Sequence, residues 1–491
     1  MSWPEERGDW IPFVDEAPPP PPRKRLWPII SGMISWIIIL SVVTLIVYRV
    51  STQTQAPAAD EDSNTNELLV IQIQGKLLVG AYNLGGRKDK QYADQAASLN
   101  VGPPAQRLAA VVLIGELASA GKARNELMDL IAQWNKDGTD LTDKQRRAVS
   151  VLRLLYDDYT QNEFDAPSID NPDREALVEE LGWFGQLALN PPETSHPAER
   201  NAVLAPAYRT AGAALVLLLV VGLLFLVGSV GLLVLPILAF LGYVRGGLRD
   251  ASPRATIYAE TFALWLLVFL GMSWGASLID VGQWRLFLSA AGMLLSLVVL
   301  GWPVLRGIPW RQVKQDIGWT SGRLGIAEPF FGLGTLVLSV PLLVAGVIAS
   351  FILVGVNRLL GGAALAQDAP VHPVVQFLHN PSPWVVVQIF FAASVVAPIV
   401  EETMFRGLLY RQLRSATTSW GWVLSFLGSA VVVSFLFAVI HPQGWVAAPA
   451  LMAIAFALTI AREWRGTLLP GMLHHGVHNA FVLTVAILIL N

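Results

Sequence analysis

From Thr210 onward the chain is a succession of apolar runs, each long enough to cross a bilayer and separated by short polar stretches. The runs fall at 211–243, 256–277, 286–305, 329–356, 384–414, 422–440, 446–461 and 467–490. With one earlier run at 26–48 they predict about nine spans. In hydrocarbon a backbone must satisfy its own polar groups, so runs of this length and composition are read as helices. Composition agrees: of 491 residues, 53% are hydrophobic and only 14% charged, too few charges for a soluble protein of this size. The net charge of −3 gives no cationic surface for a nucleic-acid partner. The lack of cysteine removes disulfides, thiolate nucleophiles and iron–sulfur clusters, leaving His, Asp and Glu as the only ligands for any metal.

Residues 1–25 are polar and close on a proline run at 18–22 followed by Arg23, Lys24 and Arg25, which reads as a stiff spacer. The uncharged run 26–48 is too long for a cleaved leader and is read as a signal anchor, with the preceding cations placing the N-terminus in the cytoplasm. Residues 49–209 hold over half of the acidic residues and no spanning run, so they form an extramembrane domain. Its first residues, 51–66, are linker-like. The alternation over 68–78 predicts a short strand, whereas 106–130, 143–159 and 174–189 carry helical spacing, with Thr142 placed to start a helix. The clusters 60–62 and 87–90 read as solvated surface. Beyond the domain, Arg245, Arg249, Arg254, Arg306, Arg311, Lys314 and Arg323 fall in loops on one side, expected to be cytoplasmic. The runs 211–243 and 329–356 exceed a typical span and are expected to tilt, kink at Pro236 or Pro341, or protrude.

The last hundred residues differ from the other spans because ionisable groups enter the apolar runs. Glu401, Glu402 and Arg406 lie within 384–414, His441 ends the next run, and His474, His475, His478 and Asn479 lie in the last. A charge at mid-membrane costs roughly 2.5–3.5 kcal/mol per residue on the milder scales, which marks these residues as functional candidates. Helical spacing pairs Glu402 with Arg406, leaving Glu401 about 100° away as the free carboxylate. His475 and Asn479 share one face, His474 and His478 the neighbouring one, and only one face can look at Glu401. At about 1.5 Å per residue, Glu401 lies roughly 20 Å from the turn near 415–420, His441 up to about 30 Å, and His475 and Asn479 about 12–18 Å. Tilt, a late helix start or a break at Pro470 and Gly471 would have to absorb a mismatch of roughly 10 Å.

One free carboxylate, a histidine and an Asn/His face suit attack of an activated water on a carbonyl: Glu401 as base, His441 holding or relaying the proton, His475 and Asn479 donating to the oxyanion. Ser425, Ser429 and Ser434 read as helix-contact hydroxyls. His372 and His379 flank prolines in a loop. The 17 tryptophans, among them Trp27, Trp284, Trp310, Trp384 and Trp464, sit mostly near span ends as an interfacial belt.

The set Glu401-Glu402-Thr-Met-Phe-Arg406, Phe437-Ala-Val-Ile-His441 and His475-Gly-Val-His-Asn479 resembles the EExxxR, FxxxH and HxxxN pattern of the CAAX protease and bacteriocin-processing family of intramembrane endopeptidases (CAAX prenyl protease 2-like, Abi domain). The resemblance covers residues from about Trp319 onward and includes Gly407 and the Leu-Leu-Tyr that follows. It implies that Glu401 activates water with His441, that Glu402 and Arg406 support the base, that His475 and Asn479 stabilise the oxyanion, and that Phe437 packs. It implies a membrane-associated or lipid-modified protein substrate; eukaryotic members remove the last three residues of prenylated CAAX proteins. Long described as metalloproteases, the family is now held to use a metal-free glutamate mechanism. No cofactor is expected here, with zinc on Glu401, His441 and His475 as the alternative; His474 and His478 read as packing or polar contacts.

The chain is thus read as an all-α polytopic membrane protein of about nine spans with a mostly helical extramembrane domain between the first and second. Its segments are a cytoplasmic Pro-rich tail (1–25), the anchor (26–48), the extramembrane domain (49–209), transmembrane helices of unassigned role (210–318) and a protease domain (319–491), in a plasma or inner membrane. The competing readings are a catalytically idle scaffold of the same family and, more weakly, a transporter, for which no inverted repeat is evident.

Overall fold

The computed structural model describes residues 26–53, 62–85, 90–243, 246–248, 252, 254–279, 281–359 and 382–490. The Pro-rich tail with Arg23, Lys24 and Arg25 lies outside the described residues, as do Arg245, Arg249, His372, His379 and parts of the expected tether and charge clusters. The described chain is helical without strands, and nine of its helices are long and apolar enough to cross a membrane. It is an integral membrane protein of all-α, polytopic architecture.

Helix α1 (Leu26–Gln53) carries the first of the nine apolar spans. The extramembrane module follows as α2 (Asp62–Gly85), α3 (Lys90–Ser98), α4 (Pro104–Leu117), α5 (Ala120–Asp137), α6 (Asp143–Thr160), α7 (Asn171–Leu181) and α8 (Trp183–Leu189). The strand expected over 68–78 is instead the middle of α2. Its alternation is real, but Ile71 and Val79 are its buried apolar positions among the described residues, eight apart on one helix face, and Gly75 between them lies against Phe184 and Leu113. A helical stripe packed on two neighbours outweighs a short alternation with no partner strand. The expected helix over 106–130 is two, because Ser119 N-caps α5 by accepting from the Lys122 amide. Likewise 174–189 breaks at Gly182, whose positive φ of 55° starts a new direction. The start at Thr142 holds, with a complete capping box to Gln145.

Helix α9 (Pro197–Phe240) explains the overlong second run. Its 44 residues make a rod of roughly 66 Å, about twice the hydrocarbon thickness. The first turns belong to the extramembrane core, where Leu204 and Ala207 are buried, and the rest is the span. Two contacts fasten the module to it. Gly80 of α2 lets that helix lie on the Ala207 carbonyl, and Arg200 forms a part-buried ion pair with Glu116 of α4 (Nη2 to Oε1, 2.6 Å).

The remaining spans are α10 (Ala255–Ser277), α11 (Gly282–Leu305), α13 (Phe331–Leu359), α14 (Pro383–Ala416), α15 (Trp422–Val439), α16 (Gly444–Arg465) and α17 (Leu469–Leu490). Between α11 and α13 the segment expected as a plain loop contains a short helix, α12 (Trp310–Ile317), with Val313 and Ile317 fully buried. Arg254 donates to the Gly307 carbonyl (2.7 Å), so the cation-bearing loops before α10 and after α11 share one end of the bundle. At that end Arg411 pairs with Asp316, which accepts from Tyr258, while Glu463 takes Arg414, Tyr410 and Trp422, and Arg465 pairs with Glu328. Phe262 and Trp265 of α10 meet Phe405 of α14 at 5.3 and 5.9 Å, so the helices of 210–318 pack directly on the segment that carries the candidate carboxylates.

Candidate active site

The two glutamates sit on α14, which is not a uniform α-helix. It runs α over Pro383–Phe391, π over Ala392–Val396, α over Ala397–Glu401 and π again over Glu402–Leu409 before closing as α over Tyr410–Ala416. π segments inside α-helices recur at functional sites because they re-aim side chains and free backbone groups. Here the cause is legible. In the first π segment the Ala397 amide bonds the Ala392 carbonyl five residues back, and the next residue in that register, Pro398, has no N–H. The carbonyl of Ala393 is thereby left over, and the Asn479 Nδ2 donates to it at 2.7 Å. Asn479 thus ties α17 to the helix about two turns before Glu401.

The expected depth mismatch disappears for a structural reason. Glu401 and His441 are equidistant in sequence from Gly421, the turn of the α14–α15 hairpin, so they arrive at one level. The turn before α17 does not lie level with that hairpin turn, because Leu468 packs near Gly407, well up α14. The polar backbone of this deep turn is held by Leu468 N to the Gly318 carbonyl (3.0 Å), by Thr467 Oγ1 to the Thr320 carbonyl (2.6 Å) and by Arg462, which donates to the carbonyls of Asp316, Arg406 and Gly466. His475 lies seven residues beyond Leu468 and Glu401 six residues before Gly407, so the two arrive at nearly the same depth.

Glu401 Oε2 lies 3.9 Å from His441 Nε2 and 3.8 Å from His475 Nε2. That oxygen is buried without a hydrogen-bond partner. Glu402 accepts from Arg406 Nη1 (2.9 Å) and, through the same Oε1, from His475 Nδ1 (3.0 Å). His441 Nδ1 lies 2.5 Å from the Phe437 carbonyl, which can only accept, so the proton is on Nδ1. With both Nδ1 atoms committed, each ring in its neutral form turns a lone pair on Nε2 toward Glu401 Oε2. Three acceptor atoms separated by about a water's reach are what a water molecule bridges by donating to two of them. Any N–H that His475 offers an oxyanion must come from Nε2, which carries one only in the doubly protonated ring.

Phe437 packs as expected, and at the centre: the Arg406 guanidinium lies 4.6 Å over its ring, and the His441 ring centroid is 4.3 Å away. Of the two histidine faces on α17, the His475/Asn479 face looks at the glutamate helix. His474 turns to α13, where its Nδ1 lies 3.2 Å from Thr335 Oγ1. Ser425 and Ser429 contact Thr417 at the hairpin turn, away from Glu401, and Ser434 is buried without a partner. Among the described residues no three His, Asp or Glu side chains are arranged to hold a metal ion. Sequence reasoning passed over Thr403, which accepts from Trp319 Nε1 at 2.9 Å, and Pro398, whose place in an apolar helix just before Glu401 was the available signal.

Gly476 lets α17 approach α14: a Cβ there would fall 2.5 Å from the Ser394 carbonyl oxygen, a backbone atom that cannot swing aside. Gly476→Ala is expected to cost about 1–3 kcal/mol of stability. By displacing His475, it should also lower turnover by roughly 100-fold. Parallel melting and hydrolysis measurements check this, and unchanged turnover would show that the close approach is not needed for the site.

A search of curated proteins and one of solved structures each returned no match. Residues 383–481, from the first turn of α14 past Asn479, match the family model for type II CAAX prenyl endopeptidase Rce1-like, so this segment is similar to that family of membrane proteases.

Proposed function

We propose that the protein is an intramembrane endopeptidase that hydrolyses a peptide bond of a membrane-associated or lipid-modified protein with a water activated by Glu401. The supporting observation is the unpartnered Glu401 Oε2 facing two imidazole Nε2 atoms at 3.8 and 3.9 Å. A water held there gives a proton to Glu401 as its oxygen bonds the substrate carbonyl carbon, and the carbonyl electrons move to oxygen. As the C–N bond breaks, the proton passes to the leaving nitrogen, directly or through His441. The Glu402–Arg406 pair acts through His475, fixing its ring by the Nδ1 hydrogen bond. Asn479 donates one amide hydrogen to Ala393 and retains a second for an oxyanion. The family's prenylated CAAX proteins are the first substrate class to try. The positive-inside rule places the end carrying Arg254, Arg306, Arg311 and Lys314, and with it the N-terminus, in the cytoplasm of a plasma or inner membrane.

The test is cleavage of membrane-tethered peptides, prenylated and unprenylated, by the purified full chain and by His441→Ala, each with and without chelator. Chelator-resistant cleavage by the wild type and loss of roughly 100-fold or more in His441→Ala are expected. Chelator-sensitive cleavage restored by zinc would overturn the metal-free step, and no cleavage of any tethered peptide would favour the idle scaffold.

A further inference from the structure

On the membrane-facing side of α10 and α11 lies an apolar groove of about 840 Å³, lined by Leu264, Val268, Gly301, Trp302, Trp310 and Trp319 among others. Its volume falls within the roughly 300–1,000 Å³ typical of sites for small organic ligands. The groove arises because α11 tightens to a 3-10 turn over Ser296–Leu300 before resuming at Gly301. Trp265 Nε1 pins that turn by donating to Ser296 Oγ (3.0 Å). The polar atoms of two lining tryptophans are already engaged, Trp302 Nε1 with Glu260 (2.9 Å) and Trp319 Nε1 with Thr403, so the rings offer apolar faces.

The rim at the Trp302/Trp310/Trp319 end is charged asymmetrically. Arg306 is neutralised by Glu260 (3.0 Å) and Asp316 by Arg411. Arg311 and Lys314, on α12 beside and one turn after Trp310, make no ion pair among the described residues. Lys314 shares the Trp310 face by its i,i+4 spacing. An apolar channel opening to hydrocarbon, closed at the interface by tryptophans and two uncommitted cations, matches an acyl chain joined to an anionic headgroup.

We propose that this groove is a binding site for an anionic phospholipid, with an acyl chain along Leu264, Val268 and Gly301 and the phosphate against Arg311 and Lys314. Through Trp319 and Thr403 the occupied groove would abut the π segment that begins at Glu402.

The test uses the full chain in phosphatidylcholine vesicles containing a trace of phosphatidylglycerol or phosphatidylcholine with a photoreactive acyl chain, with the cross-linked peptides mapped. Labelling should concentrate on residues 264–268 and 297–305 and favour phosphatidylglycerol by roughly tenfold, as two interfacial cations predict. Gly301→Trp fills the groove, and a Cβ at Gly301 meets no atom within 4 Å, so the fold is spared. This variant should lose the groove labelling, whereas Arg311→Gln/Lys314→Gln should keep it and lose the preference. Equal groove labelling by both lipids, labelling spread evenly over the outer helices, or displacement of the label by a prenylated peptide and not by unlabelled phosphatidylglycerol would each overturn the proposal.

Discussion

Glu401→Gln is expected to lower peptide hydrolysis by roughly 10²–10⁴-fold while leaving the protein as stable as the wild type. The two halves of this expectation have one origin. Glu401 Oε2 accepts no hydrogen bond in the fold, so replacing the carboxylate by an amide of the same shape takes no hydrogen bond from that atom. The amide even gains one, since its N–H can donate to the lone pair of His441 or His475 Nε2, which the carboxylate cannot do. What it loses is the ability to take a proton from water. A fall in rate with an unchanged or raised melting temperature therefore separates a chemical role from a structural one. Activity equal to wild type would remove Glu401 as the base, and a collapse of stability would show that its charge holds the helices together.

Much of this was legible in the chain, and the parts that were not share a cause. The nine spans follow from length and apolarity, because hydrocarbon leaves a backbone few choices. The pair Glu402–Arg406 follows from fixed spacing on a single helix. Which of two histidine faces would meet Glu401 was open, since it depends on how α17 rotates against α13 and α14. Thr335 takes His474, and Gly476 admits the other face. The shared depth of Glu401 and His475 was hidden too, because a polar turn can enter the apolar layer only where Arg462 and Thr467 find carbonyls to bond, and those partners are more than a hundred residues away in sequence. The strand expected in α2 failed for a similar reason: its face is chosen by Phe184, Leu113 and Ala207, which no local pattern contains.

Arg406→Met is expected to be among the most destabilising single changes in the site, by about 3–5 kcal/mol, because it strands the Glu402 carboxylate in a fully buried position. It also removes the donor to the Ala455 carbonyl (3.0 Å) and the cation over Phe437. The double change Glu402→Gln/Arg406→Met removes both charges and should recover much of that stability, since a neutral pair of similar volume carries no desolvated ion. Gln at this position keeps a carbonyl oxygen that can accept from His475 Nδ1, so the ring stays oriented and part of the hydrolysis returns. Glu402→Leu/Arg406→Met should be comparably folded yet inactive, because His475 Nδ1 then has no acceptor and the ring is free to turn from Glu401. Melting curves and turnover for the three variants distinguish the two uses of the pair. Equal activity in the Gln and Leu doubles would mean that Glu402 does not orient His475, and full stability of Arg406→Met would mean that the buried carboxylate had already found another proton or partner.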